Sequence, residues 1–147
     1  MPSEEVTFHS GGCAISGTFT NALQPVAAAL LIQGGGRTDR DSDVHLPMRQ
    51  MLRGGITRQI ADALLAVRVS TLRYDKRGVG ASGGEFLRAG MDDRRADARA
   101  ALGWLAARTG GLPLLAIGHS EGHAFDSDEE LAAFLAFVTE SRHGDVA

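Results

Sequence analysis

The hydrophobic positions of the chain fall into short runs of two kinds, one typical of strands and the other of helices. Strand-like runs at 6–9 and 14–19 flank a glycine-bearing turn at 10–13, which predicts a β-hairpin. The run at 26–32 is continuously apolar, as a strand covered on both faces should be. Two further strands are predicted at 69–74 and 112–117.

Between these predicted strands lie segments whose apolar residues have helical spacing. After a polar stretch to about Gly55, which we interpret as a long loop, apolar residues recur at helical intervals from Ile56 to Val67. A second helix is predicted over 91–108, with two aspartates at its positive N-terminus and two glycines after its end. Its predicted core face consists of Ala98, Ala101, Leu102 and Leu105. Strands that alternate with helices indicate an α/β fold with a parallel sheet and right-handed crossovers.

A serine-centred pentapeptide follows directly on the last predicted strand. Residues 118–122 read Gly-His-Ser-Glu-Gly, which is the G-x-S-x-G pattern of a nucleophile elbow at the end of a buried strand. A serine on a sharp strand-to-helix turn needs a cramped backbone, and larger flanking side chains would collide with the strand and the helix. The pattern therefore makes Ser120 a candidate nucleophile, which needs a base to take its proton.

Two more segments, which precede the pentapeptide in the sequence, also match a known pattern. Residues 31–41 read LIQGGGRTDRD, and residues 72–82 read LRYDKRGVGAS. With these three segments, the chain resembles the N-terminal half of a bacterial α/β-hydrolase of the esterase and serine-aminopeptidase-like kind. The resemblance implies a partial α/β-hydrolase domain over 1–125, truncated after the elbow. It does not extend to residues 126–147, which we predict to form an acidic helical tail.

The resemblance also implies a function. It predicts a serine hydrolase that acts on a small ester, thioester or amide substrate through an acyl-serine intermediate, without a cofactor. Ser120 would be the nucleophile, and the backbone N–H groups of Gly35 and Glu121 would form the oxyanion hole. Gln33 stands where many relatives have histidine, a departure that concerns the shape of the loop more than its donors.

The acid and the base of a catalytic triad are not evident. In this fold both follow the serine on later loops, and 27 residues follow Ser120, so we expect impaired catalysis. Asp126 or Asp128 followed by His143 has the required order, but the expected geometry is wrong. We interpret the histidines beside the serine as packing or helix-start residues: His119 and His123. The alternative is a non-catalytic fragment that binds an acyl ligand or a partner.

A remote alternative from another class is a nucleotide-binding domain. Residues 78–83 match G-x-G-x-x-G, the dinucleotide fingerprint. That fingerprint should join a strand directly to a helix, so that pyrophosphate meets the helix N-terminus. Here three residues precede it after the strand, and the helix begins only at about Asp92, so we interpret it as a structural loop.

The charge and cysteine content of the chain argue against several classes of partner and site. The net charge of −3 argues against a general nucleic-acid or membrane-surface binder. The single cysteine, Cys13, excludes an intramolecular disulfide and a cysteine-based zinc site, and no histidine pair has metal-ligand spacing. The chain starts without a signal-like segment and has no apolar run of about 20 residues, so we predict a cytoplasmic location.

The segment after the pentapeptide has a different character. Residues 126–147 carry a net charge of −5, and Ser127 with Glu130 has capping-box spacing, which predicts a helix over about 127–141. A sheet that ends at the elbow strand exposes an unpaired edge, so we expect self-association unless this helix covers it.

Overall fold

The computed structural model describes residues 3–118, apart from Pro47 and Arg49. The strands are β1 (Ser3–Ser10), β2 (Cys13–Thr20), β3 (Ala27–Ile32), β4 (Val44–His45), β5 (Met51–Leu52), β6 (Val69–Tyr74) and β7 (Leu114–Gly118). The helices are α1 (Ile56–Ala66) and α2 (Met91–Thr109), with a 3₁₀ turn at Phe86–Arg88. The predicted elbow, the tail helix and the domain boundary at 125/126 lie outside the described residues.

A mixed five-stranded sheet organises the fold, in the order β1-β2-β6-β3-β7. β1 and β2 form the predicted hairpin, closed by Gly11 and Gly12, whose positive φ angles of 53° and 80° suit a tight turn. β2 pairs antiparallel with β6, whereas β3 pairs in parallel with both β6 and β7. The predicted hairpin, the order of strands and helices along the chain and the parallel pairing of β3 with its neighbours are confirmed.

Two apolar clusters lie in the core, and β3 contributes to both. Ala28 and Leu30 belong to the cluster that includes α2, whereas Ala29 and Leu31 belong to the cluster that includes Ala61 of α1. Because successive side chains of a strand point to opposite faces, a strand that contributes to two clusters has no polar positions. The continuously apolar run therefore marks a strand covered on both faces, as the sequence predicted.

Helix α1 forms as predicted, but its burial differs from its apolar pattern. Ile60 and Leu64 pack against the core, whereas Ile56 and Val67 are exposed. The side chains that are fully buried are smaller, Ala61 and Thr57, and Thr57 shares a hydrogen bond with Ser42. The close approach of this helix to the sheet favours small residues at the contact.

The stretch before α1 is not wholly a loop, which corrects the interpretation from sequence. β4 and β5 pair antiparallel within it, with Val44 opposite Leu52 and His45 opposite Met51. Two-residue strands are too short to show a period of two, so their pairing cannot be recognised in the sequence.

Helix α2 buries its predicted core face, and the described ends lie within one residue of the prediction. Asp97 is buried on the same face, where it binds Arg77. No helix among the described residues is long and apolar enough to cross a membrane.

Replacing Gly103 by alanine is expected to stabilise the fold. Gly103 lies inside α2 and is exposed, and an added Cβ would meet no atom within 4 Å. Alanine has less backbone conformational entropy in the unfolded chain than glycine, so it loses less on folding. The free energy of unfolding should therefore rise by about 0.5–1 kcal/mol. Urea denaturation followed by circular dichroism measures this change, and a loss of stability would show that this face of α2 is packed.

Candidate active site

The candidate site lies where β3 and β7 end side by side. Ile32 pairs with Gly118, the last residues of the two strands, and the carboxyl ends of parallel strands share one edge of a sheet. Gly35 comes three residues after Ile32, and Ser120 comes two residues after Gly118 in the sequence. Ser120 and Glu121 lie outside the described residues, so their roles as nucleophile and donor stay predictions.

The loop that follows β3 is a glycine turn with its carbonyl groups engaged. Gly36 has a φ of 78°, which favours glycine. The Gly34 carbonyl oxygen accepts hydrogen bonds from Thr38 Oγ1 at 3.0 Å and from Lys76 Nζ. The Gly36 carbonyl oxygen accepts from Lys76 Nζ and from the Thr38 N–H, both at 2.9 Å. Within residues 3–118, the Gly35 N–H meets no acceptor, as an oxyanion-hole donor requires.

Gln33 fastens the start of this loop to the neighbouring strand. Its side chain is buried, and its Nε2 donates a 2.7 Å hydrogen bond to the carbonyl oxygen of Tyr74 at the end of β6. The amide therefore ties the β3 loop to β6, which agrees with the expectation that this residue affects loop shape.

Arg40 and Asp75 join the loops that follow β3 and β6. The Asp75 carboxylate is buried and accepts hydrogen bonds from the Arg40 N–H at 2.8 Å and from the Arg40 guanidinium at 2.9 Å. The guanidinium also donates to Ser16 and Thr18 of β2. Burial opposes the charge of Arg40, but the hydrogen bonds and charges of Asp75 and Glu5 outweigh it and raise the Arg40 pKa, so the guanidinium stays protonated.

The glycine-rich loop at 78–83 is organised by the same carboxylate. Asp75 Oδ2 accepts a 2.9 Å hydrogen bond from the Ala81 N–H, so a protein anion already occupies a donor that a phosphate would need. The 3₁₀ turn at Phe86–Arg88 separates this loop from α2. Both observations favour the structural interpretation of the loop over nucleotide binding.

A second buried ion pair fixes this loop against α2. Arg77 Nη2 donates to Asp97 Oδ1 at 2.6 Å, and Arg77 Nε donates to Asp97 Oδ2 at 3.2 Å. The hydrogen bond to Asp97 raises the Arg77 pKa and outweighs the effect of burial. The sequence signal for this pair is an aspartate directly before Ala98 on the apolar face of α2.

Three carboxylates in the loop after β3 lie within 4.8 Å of one another: Asp39, Asp41 and Asp43. Among the described residues they are the one group close enough to share a cation. Asp39 accepts from the N–H groups of Asp41 and Asp43 and pairs with His45 Nε2 at 2.9 Å, while Asp41 pairs with Arg73. These bonds account for the cluster as an organiser of the loop.

The structure describes two histidines, His9 and His45. His9 lies on β1, four strands from β7, a separation of about 19 Å at ~4.8 Å per strand. His45 binds Asp39 within the loop after β3.

A cavity of about 670 Å³ lies at the opposite, amino end of the parallel strands. It is lined in part by Leu23 and Arg68, so it is not part of this site.

Solved structures with the same fold are α/β-hydrolases and esterases. An esterase from Pyrococcus furiosus is 20% identical, with a TM-score of 0.63, and the match covers 82% of this chain and 41% of that one. A serine hydrolase without a lid from Xanthomonas campestris is 19% identical, with a TM-score of 0.61 and coverage of 83% and 52%. A cold-adapted esterase from an Arctic intertidal metagenomic library is 21% identical, with a TM-score of 0.59 and coverage of 87% and 56%.

No protein-family model and no curated protein matches the chain. The similar structures are matched over 37% to 56% of their own lengths. Within those limits, the chain has the fold of the N-terminal part of an α/β-hydrolase, as its three sequence segments predicted.

Proposed function

We propose that this chain forms the nucleophile and oxyanion-hole part of a serine hydrolase that acts on an ester, thioester or amide. Ser120 attacks the acyl carbon, and the N–H groups of Gly35 and Glu121 stabilise the oxyanion that develops there. The tetrahedral intermediate then breaks its bond to the alcohol, thiol or amine, which leaves with the serine proton. Water hydrolyses the acyl-Ser120 intermediate to the free acid and regenerates the serine hydroxyl.

The observation that carries this proposal is the register of β3 and β7. The pairing of Ile32 with Gly118 brings the glycine turn that contains Gly35 to the edge where the serine pentapeptide begins. The Gly35 N–H has no acceptor within residues 3–118, and the Gly34 carbonyl of the same peptide group is bound by Thr38 and Lys76. Fixed N–H groups without competing acceptors stabilise developing negative charge best.

The proposal includes slow turnover by the 147-residue polypeptide. This part rests on the expectation that the acid and base of this fold follow the serine on later loops. Among the described residues, His9 lies four strands from β7, and the Nε2 of His45 is paired with Asp39. The same observation favours a second candidate function, in which the site binds an acyl ligand or partner without turning it over.

The purified 147-residue polypeptide is expected to hydrolyse a p-nitrophenyl ester barely faster than background. In serine hydrolases, loss of the base lowers kcat by roughly 10⁶, while the rest of the site retains about 10³–10⁴ over water. Ser120→Ala should therefore change the rate little.

Rapid hydrolysis that Ser120→Ala abolishes would contradict the slow-turnover part of the proposal. It would mean that a histidine supplies the base, and single alanine substitutions of His45, His119, His123 and His143 would identify it. Rapid hydrolysis that survives in Ser120→Ala would contradict the nucleophile assignment.

We also propose that the outer edge of β7 mediates self-association. Among the described residues no strand pairs with that edge, and Leu115 of β7 is 46% exposed. Exposed strand edges pair readily with other chains. Light scattering should show a mass above that of one chain, and a concentration-independent monomer would contradict this proposal.

A further inference from the structure

The peptide group between Gly34 and Gly35 contains both the Gly34 carbonyl, which is bound by side chains, and the Gly35 N–H, the candidate oxyanion-hole donor. The structure contains no cis peptide bond among its described residues, so the Gly34 carbonyl and the Gly35 N–H point in opposite directions within one plane. Any group that fixes the Gly34 oxygen therefore also fixes the direction of the Gly35 N–H.

Two side chains bind that oxygen, and they come from different elements. Thr38, which is 6% exposed, donates its Oγ1 proton across the turn, and Lys76 donates from the loop that follows β6. The same two residues bind the Gly36 carbonyl, through the Thr38 N–H and Lys76 Nζ. Both carbonyl groups flanking Gly35 are thus turned towards Thr38 and Lys76.

The choice of side chain at position 76 fits this geometry. Lys76 is the one lysine of the chain, beside fourteen arginines. An ammonium group has three donors that rotate freely, so it can bind two carbonyl oxygens on a turn, whereas the planar guanidinium suits a flat carboxylate. The preceding residue, Asp75, is bound to Arg40, which fixes the backbone from which the lysine extends.

We propose that Lys76 and Thr38 are positioning residues that aim the Gly35 N–H at the oxyanion of an acyl or phosphonyl group on Ser120. This inference rests on the proposed function. A cation on the Gly34 oxygen also polarises the peptide group, which strengthens the Gly35 N–H as a donor and adds positive potential behind it.

The test uses two readouts on the full 147-residue chain. The first is the amide ¹⁵N chemical shift of Gly35, because this nitrogen responds to hydrogen bonds at the preceding carbonyl and needs no activity. The second is the rate at which a p-nitrophenyl phosphonate labels Ser120. The variants are Lys76→Met, Thr38→Val and the conservative Thr38→Ser, with Arg88→Met as an exposed-cation control.

Lys76→Met should move the Gly35 ¹⁵N resonance to lower frequency and slow labelling about tenfold, less than the 10²–10³ that removal of an oxyanion donor costs. Thr38→Val should do the same more weakly, Thr38→Ser should restore both readouts, and Arg88→Met should change neither. Lys76→Met still gives an answer if Thr38→Val fails to fold.

An unchanged Gly35 resonance and an unchanged labelling rate in folded Lys76→Met would overturn the inference. Failure of the proposed function looks different, because the wild-type chain would then show no label on Ser120 at all. In that case the Gly35 resonance alone still decides whether Lys76 fixes the peptide group.

Discussion

Gly78→Ala is expected to destabilise the chain severely. Gly78 has a φ of 76°, and an added Cβ would lie 2.1 Å from the backbone nitrogen of Phe86 and 2.7 Å from the carbonyl carbon of Glu85. Neither neighbour is a flexible side chain, so the 3₁₀ turn must move. Backbone strain and overpacking together should lower the free energy of unfolding by about 3–6 kcal/mol, a large part of a typical total of about 5–15.

The matched control is Gly12→Ala in the hairpin turn. Gly12 also has a positive φ, 80°, but an added Cβ would meet nothing within 4 Å. It should show only the cost of left-handed backbone, about 1–2 kcal/mol. Thermal melts followed by circular dichroism compare the two variants, and equal stability would contradict the steric argument for Gly78.

Asp97→Ala should destabilise the chain almost as strongly. The Arg77 and Asp97 side chains are 12% and 4% exposed, and the substitution leaves the guanidinium buried without its main partner. Breaking a buried pair from one side costs about 3–5 kcal/mol. Urea denaturation measures the loss, which should be accompanied by weaker attachment of the glycine-rich loop to α2.

Two control variants test whether the loss of stability comes from the buried, unpaired charge. One removes an exposed aspartate from the same helix, and the other removes both charges of the pair. Asp92→Ala lies on the same helix, and its side chain is 99% exposed in its pair with Arg95, so it should cost less than about 1 kcal/mol. The double variant Arg77→Met with Asp97→Ala should recover part of the loss, because no unpaired charge remains. Additive losses in the double variant would show that the ion pair is not the cause.

The fold could be predicted largely from local patterns. The apolar run ending at Ile32 and the hairpin around Gly11 are each specified within a few residues, and the alternation of strands with helices then favours a parallel sheet. The carboxyl ends of parallel strands share one edge of a sheet, but the direct pairing of β3 with β7 is seen only in the structure.

The polar contacts around the site could not be predicted in the same way. Lys76 binds Gly34, which is 42 residues away in the sequence, and Arg40 binds Asp75, which is 35 residues away. Contacts over such separations leave no periodic pattern in the sequence. Asp97 lies on an apolar helix face because a distant arginine neutralises it, which overrides the preference of an aspartate for water. These contacts depend on the tertiary arrangement, which local sequence does not encode.

Ser120 is proposed to be a nucleophile beside an oxyanion hole. The most direct measurement is covalent labelling by a p-nitrophenyl phosphonate, followed by peptide mass spectrometry of the wild-type chain and Ser120→Ala. We expect slow release of p-nitrophenol, at most one label per chain, and the label on the peptide that contains Ser120, with none in Ser120→Ala. A folded wild-type chain that takes no label, or equal labelling of Ser120→Ala, would contradict it.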